Sequence, residues 1–354
     1  MPTLKPHGLA LLALLTVAGG AAAQEVPAWS FAIHGGAGTI ERASLTPEQD
    51  AAYRVSLARA LEAGAAVLRD GGAALDAVQA AVELMEDDPL FNAGRGAVFT
   101  AAGTNELDAA VMNGTDRSAG AVAGLITTRH PIAAARAVME QSPHVMLIGP
   151  GADTFAASLG LEQVPPSFFF TQRRWDQLIR VLTEQGRPTP LPPAGAPGSP
   201  LGMAATAPAP PLDERKFGTV GAVARDSRGH LAAGTSTGGT TGKRPGRVGD
   251  VPVIGAGTYA SNADGCAVSA TGDGEFYIRA TVARDICARI AAGQTARAAA
   301  QAEVDDALSL GGYGGVVVMD TRGQPAFALT TPGMYRGGVT ADAAASVAIY
   351  ADEE

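Results

Sequence analysis

The chain has 354 residues, 46% of them hydrophobic and 17% charged, with a formal net charge of −9 at pH 7. That length can bury a large core in one domain or two lobes. The acidic balance argues against a nucleic-acid partner or an anionic membrane surface, and the only two cysteines form neither a Cys-x-x-Cys pair nor a zinc-type spacing.

In chain order, residues 1–23 read as a signal peptide. Lys5 lies in a short polar start, Leu9 to Val17 is an apolar core, and Ala21-Ala22-Ala23 precedes Gln24. This predicts an exported protein, periplasmic or secreted. The apolar run is too short to span a bilayer, so no membrane partner is expected. A strand is predicted near Trp29 to Ile33. Thr46-Pro47-Glu48-Gln49 marks a helix start, with proline in the first turn and acids near the positive helix end. Apolar positions continue through Ala58, Leu61 and Val67. Further helices are predicted over Ala73–Met85, Ile132–Met139 and Phe276–Ala292, a hairpin over Gly96–Met112 turning at Ala102-Gly103-Thr104-Asn105, and a strand near Val347–Tyr350.

Residues 188–217 read as a proline-rich linker; nine of the chain's 23 prolines fall in 188–211, which carries no charge. Such a stretch is neither a packed helix nor a central strand. It gives way to Thr219–Asp226, Ser227-Arg228-Gly229 and His230–Thr237, which read as strand, tight turn, strand. The pattern recurs over Val316–Thr331. Mixed helices and antiparallel hairpins predict an α+β fold with helices enclosing sheet.

The junction Gly218-Thr219 carries the chemical expectation. A threonine hydroxyl attacks a carbonyl poorly unless a base removes its proton. A free α-amino group, with an ordinary pKa of roughly 7.7 to 8.0, can be that base. A threonine released as a new N-terminus therefore holds nucleophile and base in one residue.

Other enzyme motifs fail on inspection. Gly234-Thr235-Ser236-Thr237-Gly238 matches a nucleophile elbow, but that fold needs a histidine after the serine and the last histidine is His230. Gly238-Gly239-Thr240-Thr241-Gly242-Lys243 is one residue short of a phosphate loop, and Arg244 stands where serine or threonine is required. No H-E-x-x-H is present. What remains is Thr237 opposite Thr219 in the hairpin, then Gly246-Arg247-Val248-Gly249-Asp250, then Thr271-Gly272-Asp273-Gly274 at a strand-to-helix corner. Arginine grips a carboxylate bidentately and aspartate accepts from an ammonium, so Arg247 and Asp250 suit the zwitterionic end of an α-amino acid. A backbone N–H and a hydroxyl at the corner suit an oxyanion.

The segment Thr219 to Ala260 resembles the start of the β-subunit of plant-type asparaginases, also called isoaspartyl peptidases, which are N-terminal-nucleophile hydrolases. The resemblance extends to His34-Gly-Gly-Ala-Gly38, Pro89-Leu-Phe-Asn-Ala-Gly-Arg-Gly96, Glu106–Met112, Arg173-Arg174-Trp175, Ser269–Glu275 and Gly333-Met-Tyr-Arg336, covering residues 29 to 350 in order. It implies a four-layer αββα sandwich and autoproteolysis between Gly218 and Thr219. An α-subunit (24–218) and a β-subunit (219–354) would share one domain, and two such heterodimers would associate. The implied reaction is hydrolysis of β-aspartyl dipeptides and of the L-asparagine side-chain amide, releasing L-aspartate.

By position, Thr219 would attack, Thr237 would orient its hydroxyl, and Thr271 with the Gly272 N–H would hold the oxyanion. Arg247, Asp250, Gly274 and Asn92 would contact substrate. No catalytic cofactor is implied. A structural sodium ion would sit on backbone carbonyls of Met85, Glu86, Asp88, Phe91, Ala93 and Arg95. Asp273 departs from the small hydroxylated residue of many relatives and would place an extra carboxylate beside the site. Cys266 and Cys287, on a strand and the following helix, are either a disulfide or two small buried side chains. Two other readings stand beside this one: glycosylasparaginase, which shares the fold and the Gly-Arg-Val-Gly-Asp motif, and a non-catalytic periplasmic amino-acid binder.

Overall fold

The computed structural model describes residues 1–3, 27–196 and 218–353. The expected signal peptide from residue 4 onward, and the linker from 197 to 217, lie outside them. Residues 188–196 carry no helix or strand.

Strand β1 (Ser30–Gly38) is buried throughout and runs five residues past its expected end. Helix α1 (Pro47–Arg69) begins as predicted: the Thr46 side chain accepts from Gln49 N, and the Gln49 side chain accepts from Thr46 N. Its buried stripe, Tyr53, Leu57, Leu61, Gly64 and Leu68, has helical spacing. Gly64 is required there because a Cβ would strike the Phe31 ring. Helix α2 (Ala74–Asp87) packs beside α1.

The predicted hairpin over Gly96–Met112 does not form. Strand β2 covers only Leu107–Asn113 and pairs with β3 (Ala119–Leu125). Segment 97–105 is held elsewhere: Phe99 inserts against Trp175 and Phe170, with ring centroids 5.2 and 5.8 Å away, and Asn105 donates to the Ala97 and Val98 carbonyls. Aromatic burial and satisfied carbonyls outweigh the turn signal at Ala102-Gly103-Thr104-Asn105 that suggested a hairpin.

Helix α3 (Pro131–Gln141), strand β4 (Met146–Ile148), helix α4 (Gly149–Ser158) and helix α5 (Gln172–Glu184) follow. Beyond the linker, β5 (Val220–Arg225) and β6 (Leu231–Thr237) form the expected hairpin. Asp226 closes its turn by accepting from Arg228 N and His230 N. Then come β7 (Thr258–Ser261), β8 (Cys266–Gly272), α6 (Gly274–Ala280), α7 (Val282–Ala291), α8 (Ala296–Ser309), β9 (Gly314–Asp320), β10 (Pro325–Leu329), β11 (Gly333–Thr340) and β12 (Ser346–Tyr350). The single helix predicted over Phe276–Ala292 is broken at Thr281, whose φ is +50°. Two tertiary bonds fix the break: Ala283 N and Arg284 N donate to the Ala256 and Gly255 carbonyls. They cap the first turn of α7 from outside.

Two sheets result. One has eight strands in the order β12-β11-β1-β5-β6-β2-β3-β4, and the other has four in the order β10-β9-β8-β7. One core fills the space between α1–α4 and the outer face of the large sheet. A second joins the inner faces of both sheets to α7 and α8. The layers are helix, sheet, sheet, helix, as expected. Cys266 and Cys287 are bonded, with their Cα atoms 5.6 Å apart. This tie between β8 and α7 settles the alternative left open by the sequence.

Candidate active site

The hairpin register builds the centre of the site. Val220 pairs with Ser236, which sets Thr219, one residue before β5, beside Thr237 at the end of β6. The Thr219 hydroxyl donates to Thr237 Oγ1 at 3.0 Å, and Thr237 Oγ1 lies 3.3 Å from the Gly218 carbonyl oxygen, to which it donates. Gly239 N also donates to Thr237 Oγ1 at 3.0 Å. With two donors pointing in, the single proton of Thr237 is directed at the carbonyl of the Gly218-Thr219 bond. Gly218 has φ +149°, and a Cβ on it would come 2.7 Å from Asn92 Cβ, so glycine is required there.

Asn92 stands behind this junction rather than in the cleft. Its Nδ2 donates to the Gly239 carbonyl at 2.7 Å and its Oδ1 accepts from Val98 N at 2.9 Å. Thr271 is buried on β8, and its Oγ1 accepts from Ala37 N at 3.3 Å. Gly272, beside it, lines the cleft together with Thr219, Thr237, Arg247 and Asp250.

Arg247 is engaged bidentately by Glu275, with Nε and Nη2 each 2.9 Å from a carboxylate oxygen. That bond holds the Glu275 carboxyl below its ordinary value. The Asp250 carboxyl is fully buried, and burial pushes its pKa up to about 7 against the pull of its own N–H and of Arg247. Its Oδ2 has no hydrogen-bond partner among the described residues. Gly274 closes this corner, since a Cβ would lie 2.9 Å from Asp250 Oδ1 and 3.0 Å from Arg247 Nη2. The cleft therefore holds a guanidinium and an unsatisfied carboxylate a few ångströms apart, opposite a hydroxyl pair. The Asp273 carboxylate accepts from Tyr313 N at 3.1 Å.

Three features escaped the sequence reading. The Arg247 partner Glu275 closes the Ser269–Glu275 segment, and nothing in the sequence around it points to that pairing. Lys243 and Asp108 form a buried pair at 4.0 Å, and Lys243 Nζ also donates to the Glu106 carbonyl; burial lowers the lysine pKa and raises that of the aspartate. A hydroxyl chain also crosses between the sheets. His34 Nε2 is 2.8 Å from Ser269 Oγ, which is 2.7 Å from Thr235 Oγ1, in turn 2.7 Å from Thr258 Oγ1. His34 and Thr235 both pair with Gly221, where any Cβ would overlap Ser269 Oγ. Burial drives the His34 pKa down to about 3, so the imidazole is neutral. Gly221, two residues after a threonine, was the one legible signal.

The loop from Met85 to Arg95 curls so that Cβ atoms on Gly94 and Gly96 would strike the carbonyl oxygens of Glu86 and Phe91. Among the described residues, the oxygens of Met85, Asp88 and Ala93 each accept one backbone bond, from Asp88, Phe91 and Gly96. Glycine-permitted crowding of carbonyls with a free lone pair fits a hard cation held by oxygen. Among the described residues no cluster of three or more His, Cys, Asp or Glu side chains is placed to hold a metal.

A four-layer αββα sandwich with a threonine at the head of an inner hairpin strand defines an N-terminal-nucleophile hydrolase. The chain belongs to the asparaginase family, whose model matches residues 27–349. It is 48% identical over 326 residues to an isoaspartyl peptidase of Escherichia coli (strain K12), covering 91% of this chain and 96% of that one. Against an isoaspartyl peptidase/L-asparaginase of Mus musculus it is 40% identical over 292 residues, 82% of each chain. A probable isoaspartyl peptidase/L-asparaginase 2 of Arabidopsis thaliana is 39% identical over 331 residues, 91% of this chain and 99% of that one.

Proposed function

We propose that the chain is a threonine hydrolase that cuts itself before Thr219 and then hydrolyses β-aspartyl dipeptides and the side-chain amide of L-asparagine, releasing L-aspartate. The observation that carries this is the Thr237 hydroxyl, which accepts from Thr219 and donates to the Gly218 carbonyl. In the uncut chain this polarises the carbonyl that Thr219 Oγ1 attacks. The C–N bond breaks as the nitrogen takes a proton, and water hydrolyses the resulting ester. The freed amine then serves as base for the same hydroxyl.

Substrate binds by its α-amino acid end. Arg247 takes the α-carboxylate on the guanidinium edge that Glu275 leaves open, and ionised Asp250 takes the α-ammonium. This fixes the side-chain carbonyl against Thr219, with the Gly272 N–H facing the developing oxyanion. Thr271 holds the Ala37 N–H and shapes this wall. Asn92 braces Gly239 and Gly218. The names of the relatives favour this reading over a glycosylasparaginase, and the complete threonine set favours it over a binder without catalysis.

Export through residues 1–23, association of two αβ heterodimers, and a sodium ion held by carbonyls of the 85–95 loop complete the proposal. Intact mass and N-terminal sequencing test it. Purified protein should yield two fragments, one beginning Thr-Val-Gly-Ala, whereas Thr219→Ala should stay whole and inactive. Measurable turnover by that variant would remove Thr219 as nucleophile.

A further inference from the structure

The buried pair of Lys243 and Asp108 has no part in the recognition or the chemistry described above, yet it stands beside the threonine pair. Asp108 is the cross-strand partner of Thr237, and directly opposed residues project from the same face of a sheet. Its carboxylate therefore leaves β2 on the face from which the Thr237 hydroxyl leaves β6. One carboxylate oxygen accepts from Gly124 N at 2.9 Å. The other has no hydrogen-bond partner among the described residues and faces Lys243 Nζ at 4.0 Å, with both side chains only 1% exposed.

Lys243 flanks Gly239. Its N–H closes a turn on the Thr240 carbonyl, its own carbonyl accepts from Ala101 N, and its ammonium ends on the Glu106 carbonyl at 2.9 Å. Between these fixed points the side chain lies against Gly239, whose φ is +83°: a Cβ there would come 2.9 Å from both Lys243 Cδ and Nζ. Gly239 is the residue whose N–H donates to Thr237 Oγ1 at 3.0 Å and whose carbonyl accepts from Asn92 Nδ2 at 2.7 Å. It is thus held by Asn92 through its carbonyl and by Lys243 along its flank, with its N–H on the Thr237 hydroxyl.

A buried ion pair contributes little net stability over apolar groups of similar shape, and methionine would fill nearly the same volume as this lysine. What the ammonium adds is a fixed end for the side chain. We propose that Lys243 is a positioning residue that, anchored on Glu106 and Asp108, keeps the Gly239 N–H on Thr237 Oγ1. That N–H and the Thr219 hydroxyl together occupy the accepting capacity of Thr237 and leave its proton to the Gly218 carbonyl. Once Gly239 drifts, the Thr237 hydroxyl turns freely, and both self-cutting and turnover lose their alignment. The Arg247 end of the same loop has a separate anchor, Gly246 N on the Glu106 carboxylate at 2.9 Å, so substrate binding is spared. The inference rests on the proposed function.

The test compares Lys243→Met, Asp108→Asn and the double variant with wild type. Thermal melts are taken in a Thr219→Ala background, so that every chain is whole; self-cutting is followed by mass, and kcat and KM for L-asparagine are measured on cut enzyme. Each single variant strands a buried partner and should melt below the double variant, which should recover most of the loss. The double variant should nevertheless cut itself at least about tenfold more slowly than wild type. Its kcat should fall at least about tenfold with KM within about threefold, the scale of a small displacement at a reacting group. A double variant that cuts and turns over at the wild-type rate, or whose loss lies in KM alone, overturns the positioning role. So does one that melts no higher than the single variants, because the pair would then hold the fold rather than the site. In each of these cases wild-type activity leaves the proposed function standing, whereas wild-type protein that neither cuts itself nor hydrolyses L-asparagine overturns both.

Discussion

Asp250→Asn should make the protein more stable while ruining its recognition of substrate. Asp250 is fully buried and its carboxyl titrates at about 7 instead of 3.8, so the native state binds its proton more tightly than the unfolded chain does. Stability is therefore lost as pH rises from 3.8 to about 7, and the loss is complete above that. At about 1.4 kcal/mol per tenfold change in proton affinity, that gap is worth about 4 kcal/mol. The facing charges have been counted in that value: Arg247 pulls the pKa down, while Glu275 and Asp108 push it up. Asparagine cannot ionise, and removing Asp250 leaves Arg247 paired with Glu275, so no lone buried cation is created. Urea unfolding in a Thr219→Ala background, which keeps the chain continuous, should show the variant more stable by about 2 to 4 kcal/mol at pH 8. The advantage should shrink as pH falls and vanish near the ordinary aspartate range. In active enzyme, KM should rise as pH falls through 7, because protonated Asp250 no longer accepts from an α-ammonium. A variant no more stable than its parent at pH 8, or an advantage independent of pH, would refute the argument from burial.

Arg247→Ala should raise KM roughly 30-fold or more, the cost of leaving a carboxylate without its charged partner, with kcat far less affected; an unchanged KM would take Arg247 out of the substrate site. Gly221→Ala drives a Cβ into Ser269 Oγ and to within 2.5 Å of His34 Nε2, which should cost on the order of 3 kcal/mol. Adding Ser269→Gly should restore much of that loss in thermal melts, and no recovery would mean the clash lies elsewhere. Asp226→Asn should weaken the β5–β6 turn. Burial pushes this carboxyl up, but the His230 and Arg228 N–H groups and the Arg228 side chain outweigh it and hold it below its ordinary value. Its contribution is therefore present above the ordinary aspartate pKa and fades as pH falls through the depressed one. The gap between wild type and variant should close in acid, and a constant gap would contradict the assignment.

Local signals made much of the fold legible. The Thr46–Gln49 box and the Asp226–Gly229 turn each fix their element through bonds between near neighbours. What escaped depends on distant partners. Nothing near Phe99 announces that Trp175 will draw it out of a strand, and nothing near Thr281 shows that Gly255 and Ala256 will supply carbonyls to start a second helix. In the site, Thr219, Thr237, Gly272, Arg247, Asp250 and Gly274 converge as the motif order suggested. The His34–Ser269 contact bridges residues 235 positions apart, and only Gly221 hinted that a side chain there had to be missing.

The strand order of the large sheet has a consequence for the protein's later life. Segments from before and after residue 218 alternate within it: β12 and β11, then β1, then β5 and β6, then β2 to β4. Cutting the chain as proposed frees neither piece, because each is laced between strands of the other. It does erase the connection that brought them together. Unfolded precursor finds its partner strands at the fixed local concentration its own linker imposes, but unfolded mature protein must find them by collision. Renaturation should therefore be independent of protein concentration before the cut and concentration-dependent after it. The mature molecule would persist by the height of its unfolding barrier rather than by any ability to form again.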